Sequence, residues 1–239
     1  LKTAEQIEKI KESARLNTAV LDEVAKHIRI GMSTAEIDDI YIRSRKNTGE
    51  SPRRLIIRDF RKVSAFAQQR NMPGIPDKNI ILQDGDIINV DVSTILNGYF
   101  SDASRMFKLG TVSERAEKIV RVTEECVNLG LAAAKPWGHL GDIAHASTLM
   151  PENGYSVVEE IGGHGIGLEF HEDPFVSYVT PKGSEMLLVP GMIFTIEPMI
   201  NQGVSTLYID KQNGVGRLTP VMESFLHNGN IRFMSQKKE

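Results

Sequence analysis

One cysteine, Cys126, stands among 239 residues. An intrachain disulfide is therefore impossible, and a cysteine-rich structural zinc site is excluded. No apolar run approaches the ~20 residues that a membrane-spanning helix needs, and no signal-like apolar stretch opens the chain. The resulting expectation is a cytoplasmic, reducing location with no membrane partner. A large excess of one charge is also missing. Lys and Arg total 28 against 31 Asp and Glu, a net charge of −3, so the global balance gives no reason to expect DNA binding. Neither an internal repeat nor a linker or low-complexity stretch divides the chain. The expectation is a single domain over residues 1–239, long enough to bury a sizeable core.

Charge is less even locally. Between Arg43 and Lys62 the basic residues are Arg43, Arg45, Lys46, Arg53, Arg54, Arg58, Arg61 and Lys62, against Glu50 and Asp59. A solvated face is the ordinary reading. The functional one is a patch that meets an anionic surface such as ribosomal RNA.

The most telling segment is DIINVDVSTILNGYFSDASRMF, from Asp86 to Phe107. Asn97-Gly98 between two alternating runs is a hairpin signal, because a two-residue turn needs positive φ at both positions. That register pairs Leu96 with Tyr99, Ser93 with Asp102 and Asp91 with Ser104. Asp91 and Asp102 then share a face as diagonal neighbours about 7–8 Å apart, while Val90 and Val92 point to a core. Two carboxylates on one face repel unless one is protonated or a cation bridges them.

Three further segments carry donor residues. In IGGHGIGLEFHEDP, His164 lies between Gly163 and Gly165, where backbone can approach closely and an unusual φ is tolerated; His171 follows in the same irregular stretch. In VPGMIFTIEPMI, Glu197 extends a run that otherwise reads as buried strand, and Pro198 ends its ladder. In LTPVMESFLH, Glu223 interrupts an apolar run. Asp91, Asp102, His164, Glu197 and Glu223 form a hard, oxygen-rich set. It suits manganese, iron(II), cobalt or magnesium, and its charge matches two divalent ions.

The chain resembles the type I methionine aminopeptidases, of the pita-bread fold shared with aminopeptidase P and creatinase. The resemblance runs from about Thr3 to Phe233 and is carried by GIPD at Gly74–Asp77, DGDIINVDV at Asp84–Val92, GYFSDASRMF, GGHGIGLEFHEDP and LVPGMIFTIEPM. It implies removal of initiator methionine from nascent chains and two divalent ions (Fe2+, Mn2+ or Co2+) on those five residues. It also implies His171 as the histidine that contacts substrate and the tetrahedral intermediate. As a carboxylate in the set, Glu197 is the candidate to shuttle the water's proton to the leaving amine, and Phe170 beside His171 reads either as a wall of the side-chain pocket or as plain core.

The departures lie in the substrate pocket. Pro73 stands where the family carries a substrate-positioning histidine. Leu55 to Lys62 reads LIIRDFRK where the family has a pocket-lining Tyr-His-Gly segment, and Val221-Met222 precede Glu223 where the family has other residues. Altered specificity, a weakened or non-catalytic paralogue, and an Xaa-Pro peptidase are the alternatives this leaves.

The element pattern agrees with an α/β (α+β) pita-bread fold. Thr3 with Gln6 predicts a capped amphipathic helix that ends before Gly31, Ser33 with Glu36 caps a second, and Ser113 opens a third that stops at Lys135-Pro136. A shorter helix is predicted from Gly141, closed by Pro151 and Asn153-Gly154. Helices, strands, helices, strands predict two pseudo-symmetric halves with antiparallel sheet and a metal site at the seam. The expected molecule is a monomer acting on N-terminal peptides.

Overall fold

In the computed structural model the described residues are 1–46, 63–67, 70–71, 76–148, 154–205, 207–210, 217–220, 225–226 and 230–233. The first half opens with α1 (Ala4–His27). Thr3 accepts from the Gln6 N–H while the Gln6 side chain returns to the Thr3 N–H, so the predicted capping box closes. Ser33 and Glu36 make the same reciprocal pair ahead of α2 (Thr34–Lys46). β1 (Val63–Ala67), β2 (Arg70–Asn71), β3 (Ile87–Leu96) and β4 (Tyr99–Lys108) form an antiparallel sheet in the order β2-β1-β3-β4. Alternate residues of β3 and β4 face α1. Ile88, Val90 and Val92 pack with Val20, Leu21 and Val24. Beyond them a buried hydroxyl cluster joins Ser13 of α1 to Thr94 and Ser101.

The second half repeats the plan. α3 (Glu114–Ala133) is capped by Ser113, as the sequence predicts, and α4 spans Leu140–Ser147. The start of α4 is one residue earlier than predicted. His139 is its N-cap residue, and the Asp142 side chain accepts from the His139 N–H. Residues 149–153, which include the predicted Pro151 stop, lie outside the described residues.

The remaining strands are β5 (Tyr155–Val157), β6 (Gly163–Gly165), β7 (Glu172–Val176), β8 (Ile193–Ile196), β9 (Ile200–Gln202), β10 (Leu207–Asp210), β11 (Arg217–Pro220), β12 (Phe225–Leu226) and β13 (Asn230–Phe233). They make a four-stranded sheet β13-β8-β6-β7, a three-stranded sheet β12-β9-β5 and the hairpin β10-β11. Ile119 and Cys126 of α3, with Ile143 of α4, pack onto Phe194, Ile196 and Ile200 in the main core.

Strand and side-chain contacts among the described residues close the halves on each other. β4 lies against β13, and Ile10 of α1 reaches across to Ile166 and Ile193. Burying three aliphatic side chains there contributes roughly 1.5–3 kcal/mol each. One face of the β3–β4 hairpin is thereby turned toward β6 and β8. Among the described residues no helix is long and apolar enough to cross a membrane.

Candidate metal centre

The hairpin adopts the predicted register: Leu96 opposes Tyr99, Ser93 opposes Asp102 and Asp91 opposes Ser104. Asn97 and Gly98 both take positive φ, 51° and 85°, as a two-residue turn matched to strand twist requires. Asp102 is thereby fixed on the face opposite Val90 and Val92, and it is only 7% exposed. The Ser93 hydroxyl, directly across the ladder, donates to its Oδ1 at 3.0 Å.

His164 occupies the middle of β6. Its flanking glycines serve close approach: a Cβ on Gly163 would stand 2.4 Å from the Thr195 carbonyl oxygen, and one on Gly165 2.2 Å from that of Asp173. The unusual φ allowed for in the sequence is not used, since neither glycine has positive φ. The stretch is also less irregular than its glycine content implies. β6 pairs with β7 and β8, with one register shift between His164 and Gly165.

Glu197 follows directly on β8, which ends at Ile196 before Pro198. It is 8% exposed. The Thr195 hydroxyl, on the same face of the strand, donates to Glu197 Oε1 and accepts from the His164 N–H at 2.9 Å. Tyr178, fully buried, accepts the Glu197 N–H on its hydroxyl at 2.6 Å. Ser93, Thr195 and Tyr178 were not singled out from the sequence. The first two carried a signal, since each sits where strand geometry puts it beside an acid. Tyr178 carried none, because its partner is distant in the chain.

One carboxylate oxygen of Asp102, one of Glu197 and a ring nitrogen of His164 lie within 4.8 Å of one another. Nδ1 of His164 is 2.9 Å from the Gly165 carbonyl oxygen, which can only accept, so Nδ1 carries the proton. The lone pair is then on Nε2, 3.5 Å from Glu197 Oε1 and 3.9 Å from Asp102 Oδ2. Burial, helped by His171, holds the His164 pKa below its usual value even though the Gly165 carbonyl and Asp91 favour the proton. The imidazole is therefore neutral at pH 7. A lone pair facing two carboxylates at those distances makes no hydrogen bond. Burial likewise pushes Asp102 well above the usual carboxylate range, and Asp91 and Glu197 push it further, against the Ser93 hydroxyl. Each of these costs falls if a divalent cation occupies the space. The donors present fit a hard metal ion.

Asp91 lies outside the three-residue group but acts by its charge on both Asp102 and His164. Glu223, Pro73 and the segment Leu55–Lys62 lie outside the described residues. The His171 ring meets His164 edge-on, with centroids 4.2 Å apart. Phe170 lies 5.6 Å from His164 and 6.4 Å from Phe100. A cleft of about 660 Å³, lined by His164, His171, Glu169, Glu172 and Phe175, opens beside them. The structure thus brings together Asp102, His164 and Glu197, with Asp91 in electrostatic range and His171 at the cleft, while Phe170 packs beside His164 against the Ile10, Ile166 and Ile193 cluster.

The chain matches the model of metallopeptidase family M24 over residues 8–226. It is 42% identical over 200 residues to methionine aminopeptidase A of Synechocystis, covering 83% of this chain and 79% of that protein. It is 37% identical over 204 residues to methionine aminopeptidase 1 of Bacillus subtilis, covering 84% and 82%. Among solved structures, methionine aminopeptidase from Rickettsia prowazekii superposes with a TM-score of 0.88 at 28% identity, over 98% of this chain and 95% of that one. With helices over antiparallel sheets in both halves, the fold is the expected pita-bread arrangement.

Proposed function

The chain belongs to metallopeptidase family M24, in its methionine aminopeptidase branch, and we propose that it removes N-terminal methionine by metal-assisted hydrolysis of the first peptide bond. The observation that carries this reading is the meeting of Asp102, His164 and Glu197, with a neutral imidazole lone pair turned toward two carboxylates. In this proposal Asp91 and Glu223 complete a set for two divalent ions, iron(II), manganese or cobalt. When bound, such ions supply Lewis acidity, bringing the pKa of a water towards neutrality and polarising the scissile carbonyl.

The chain's own residues do the rest. Glu197 has one oxygen held by Thr195; the carboxylate takes the proton of the attacking water and delivers it to the leaving amine. His171, exposed at the cleft and packed edge-on against His164, donates to the carbonyl oxygen as negative charge develops there, a contribution of about 3–4 kcal/mol. Phe170 walls the pocket for the methionine side chain. Residues 1–239 act as one catalytic domain, a cytoplasmic monomer whose substrates are the N-terminal peptides of nascent chains. The basic run from Arg43 to Lys62 is the proposed contact with the ribosome surface.

The test is cleavage of Met-Gly, Met-Ala and Xaa-Pro peptides under anaerobic conditions with iron(II), manganese and cobalt. Met-Ala should be cleaved and Xaa-Pro spared, and Glu197→Gln should abolish turnover. One observation favours a second reading: Pro73 stands where the family has a substrate-positioning histidine. No cleavage with any ion, despite measured metal uptake, would select a non-catalytic paralogue.

A further inference from the structure

The turn that carries Phe170 and His171 rests on the first residues of the chain. Gly167, at φ 138°, lies so close to α1 that a Cβ there would meet Ile10 Cδ1 at 2.4 Å and Lys2 Cε at 3.1 Å. The Gly167 carbonyl accepts the Phe100 N–H at 2.8 Å, which ties the start of the turn to β4. Its far end is tied by Glu172. One oxygen of that carboxylate accepts the Leu168 N–H at 2.9 Å, and the other meets Lys2 Nζ at 2.5 Å. Lys2 is itself anchored, because its backbone N–H donates to the Gly191 carbonyl at 2.8 Å. The lysine side chain is 7% exposed and the glutamate 21%, so this pair is largely withdrawn from the screening that makes surface pairs weak.

We propose that Lys2 is a positioning residue: its ammonium fixes Glu172, and through Glu172 the turn that aims His171 at the cleft. The reasoning is geometric. His171 is the immediate neighbour of Glu172, and its side chain is exposed. A side chain that must meet a carbonyl oxygen within a few tenths of an ångström needs its backbone held from outside. Glu172 holds that backbone from within the turn, and Lys2 holds Glu172 from the opposite half of the molecule. The protonation of Glu172 agrees: burial alone would raise its pKa, yet Lys2 with the Leu168 and Glu169 N–H groups holds it below the usual value. The carboxylate is therefore ionised at neutral pH and available to the ammonium.

This role rests on the proposed part of His171 in the hydrolysis, so the test has one readout that needs no turnover. Lys2→Met keeps the aliphatic stem and removes the charge. In the cobalt-loaded variant kcat on a Met-Ala peptide should fall about tenfold, with KM within about twofold, since a displacement of the order of 1 Å can cost up to a hundredfold. Lys2→Arg should restore most of the loss. In the metal-free protein the His171 ring C–H proton resonance, assigned by its absence in His171→Gln, should shift in Lys2→Met and return in Lys2→Arg. An unchanged kcat together with an unmoved resonance overturns the proposal. So does a loss of kcat that Lys2→Arg fails to repair while the resonance stays in place. If the unsubstituted chain cleaves no methionyl peptide with any ion, the peptidase reading fails, and the resonance alone still decides whether Lys2 positions the turn.

Discussion

At the scale of single residues, the site is defined by groups whose protonation suits a cation and suits little else. Asp102 is the clearest case. Its folded pKa lies above the unfolded value of 3.8, because burial and then Asp91 and Glu197 oppose its charge. The bound proton stabilises the fold, and that contribution is complete below the unfolded pKa and lost as pH rises through the folded one. The metal-free protein should therefore lose stability relative to Asp102→Asn as pH is raised from about 4 to neutrality. Each pH unit that separates the folded from the unfolded pKa corresponds to about 1.4 kcal/mol, and a chain of this size loses about 2–4 °C in Tm per kcal/mol. Thermal scans of both proteins across that range would show the gap opening; parallel curves would mean that Asp102 is not strained. Cobalt should close the gap by stabilising only the unsubstituted protein. Thr195 belongs to the same scale. Its hydroxyl is the shared partner of the Glu197 carboxylate and the His164 N–H, so Thr195→Val should weaken cobalt binding by about 10–100-fold, as loss of a partner that orients ligands does. Isothermal titration would measure it, and undiminished affinity would show that neither ligand depends on the hydroxyl.

At the scale of elements, two glycines separate hairpin stability from metal binding. Gly98 holds φ 85° with open space where a Cβ would go, so Gly98→Ala costs only what the backbone conformation demands, about 1–2 kcal/mol. Gly163 is the reverse case: its Cβ would strike the Thr195 carbonyl of the next strand. Gly163→Ala should cost about 1–3 kcal/mol through overpacking, and it should also depress cobalt affinity, because it wedges His164 away from Glu197. Urea titration paired with metal titration would separate the two. Equal affinity losses in both variants would refute the wedge. The same contrast marks what the sequence made legible. The hairpin register and the caps at Thr3, Ser33 and Ser113 could be read because each is a local rule with both partners within a few residues. α4 starts one residue ahead of the predicted Gly141 because histidine is an uncommon N-cap and gives no start signal. β6 read as irregular because a three-residue strand with two glycines has no periodicity; its partners β7 and β8 make it a strand, and neither pairing is written locally.

At the scale of the whole molecule, the candidate metal centre is a joint. Asp102 comes from the first sheet, His164 and Glu197 from the second, and the halves are otherwise stitched by Ile10 with Ile166 and Ile193, by β4 against β13, and by Lys2 with Glu172. The donor set could be assembled from motifs, and its place at a seam between two halves from the order of helices and strands, although no internal repeat announces the second half; the meeting of Asp102 with His164 and Glu197 agrees with both. Of the hydroxyls around the site, Ser93 and Thr195 were within reach of strand geometry, whereas Tyr178 was not, because its partner Glu197 is distant in the chain. A joint of this kind makes metal binding and stability one quantity, since an ion that binds only the folded seam stabilises it by about 2.7 kcal/mol at a hundredfold excess over Kd. At about 2–4 °C per kcal/mol, saturating cobalt should raise Tm by roughly 5–11 °C, and a chelator should reverse the rise. Glu197→Gln should lose most of that response, because it removes a ligand charge from the second half while Asp102 stays in place. A Tm that ignores cobalt, in a protein shown by equilibrium dialysis to have taken it up, would mean that the unfolded chain holds the ion as well as the folded one does, so that the closed seam is not the site.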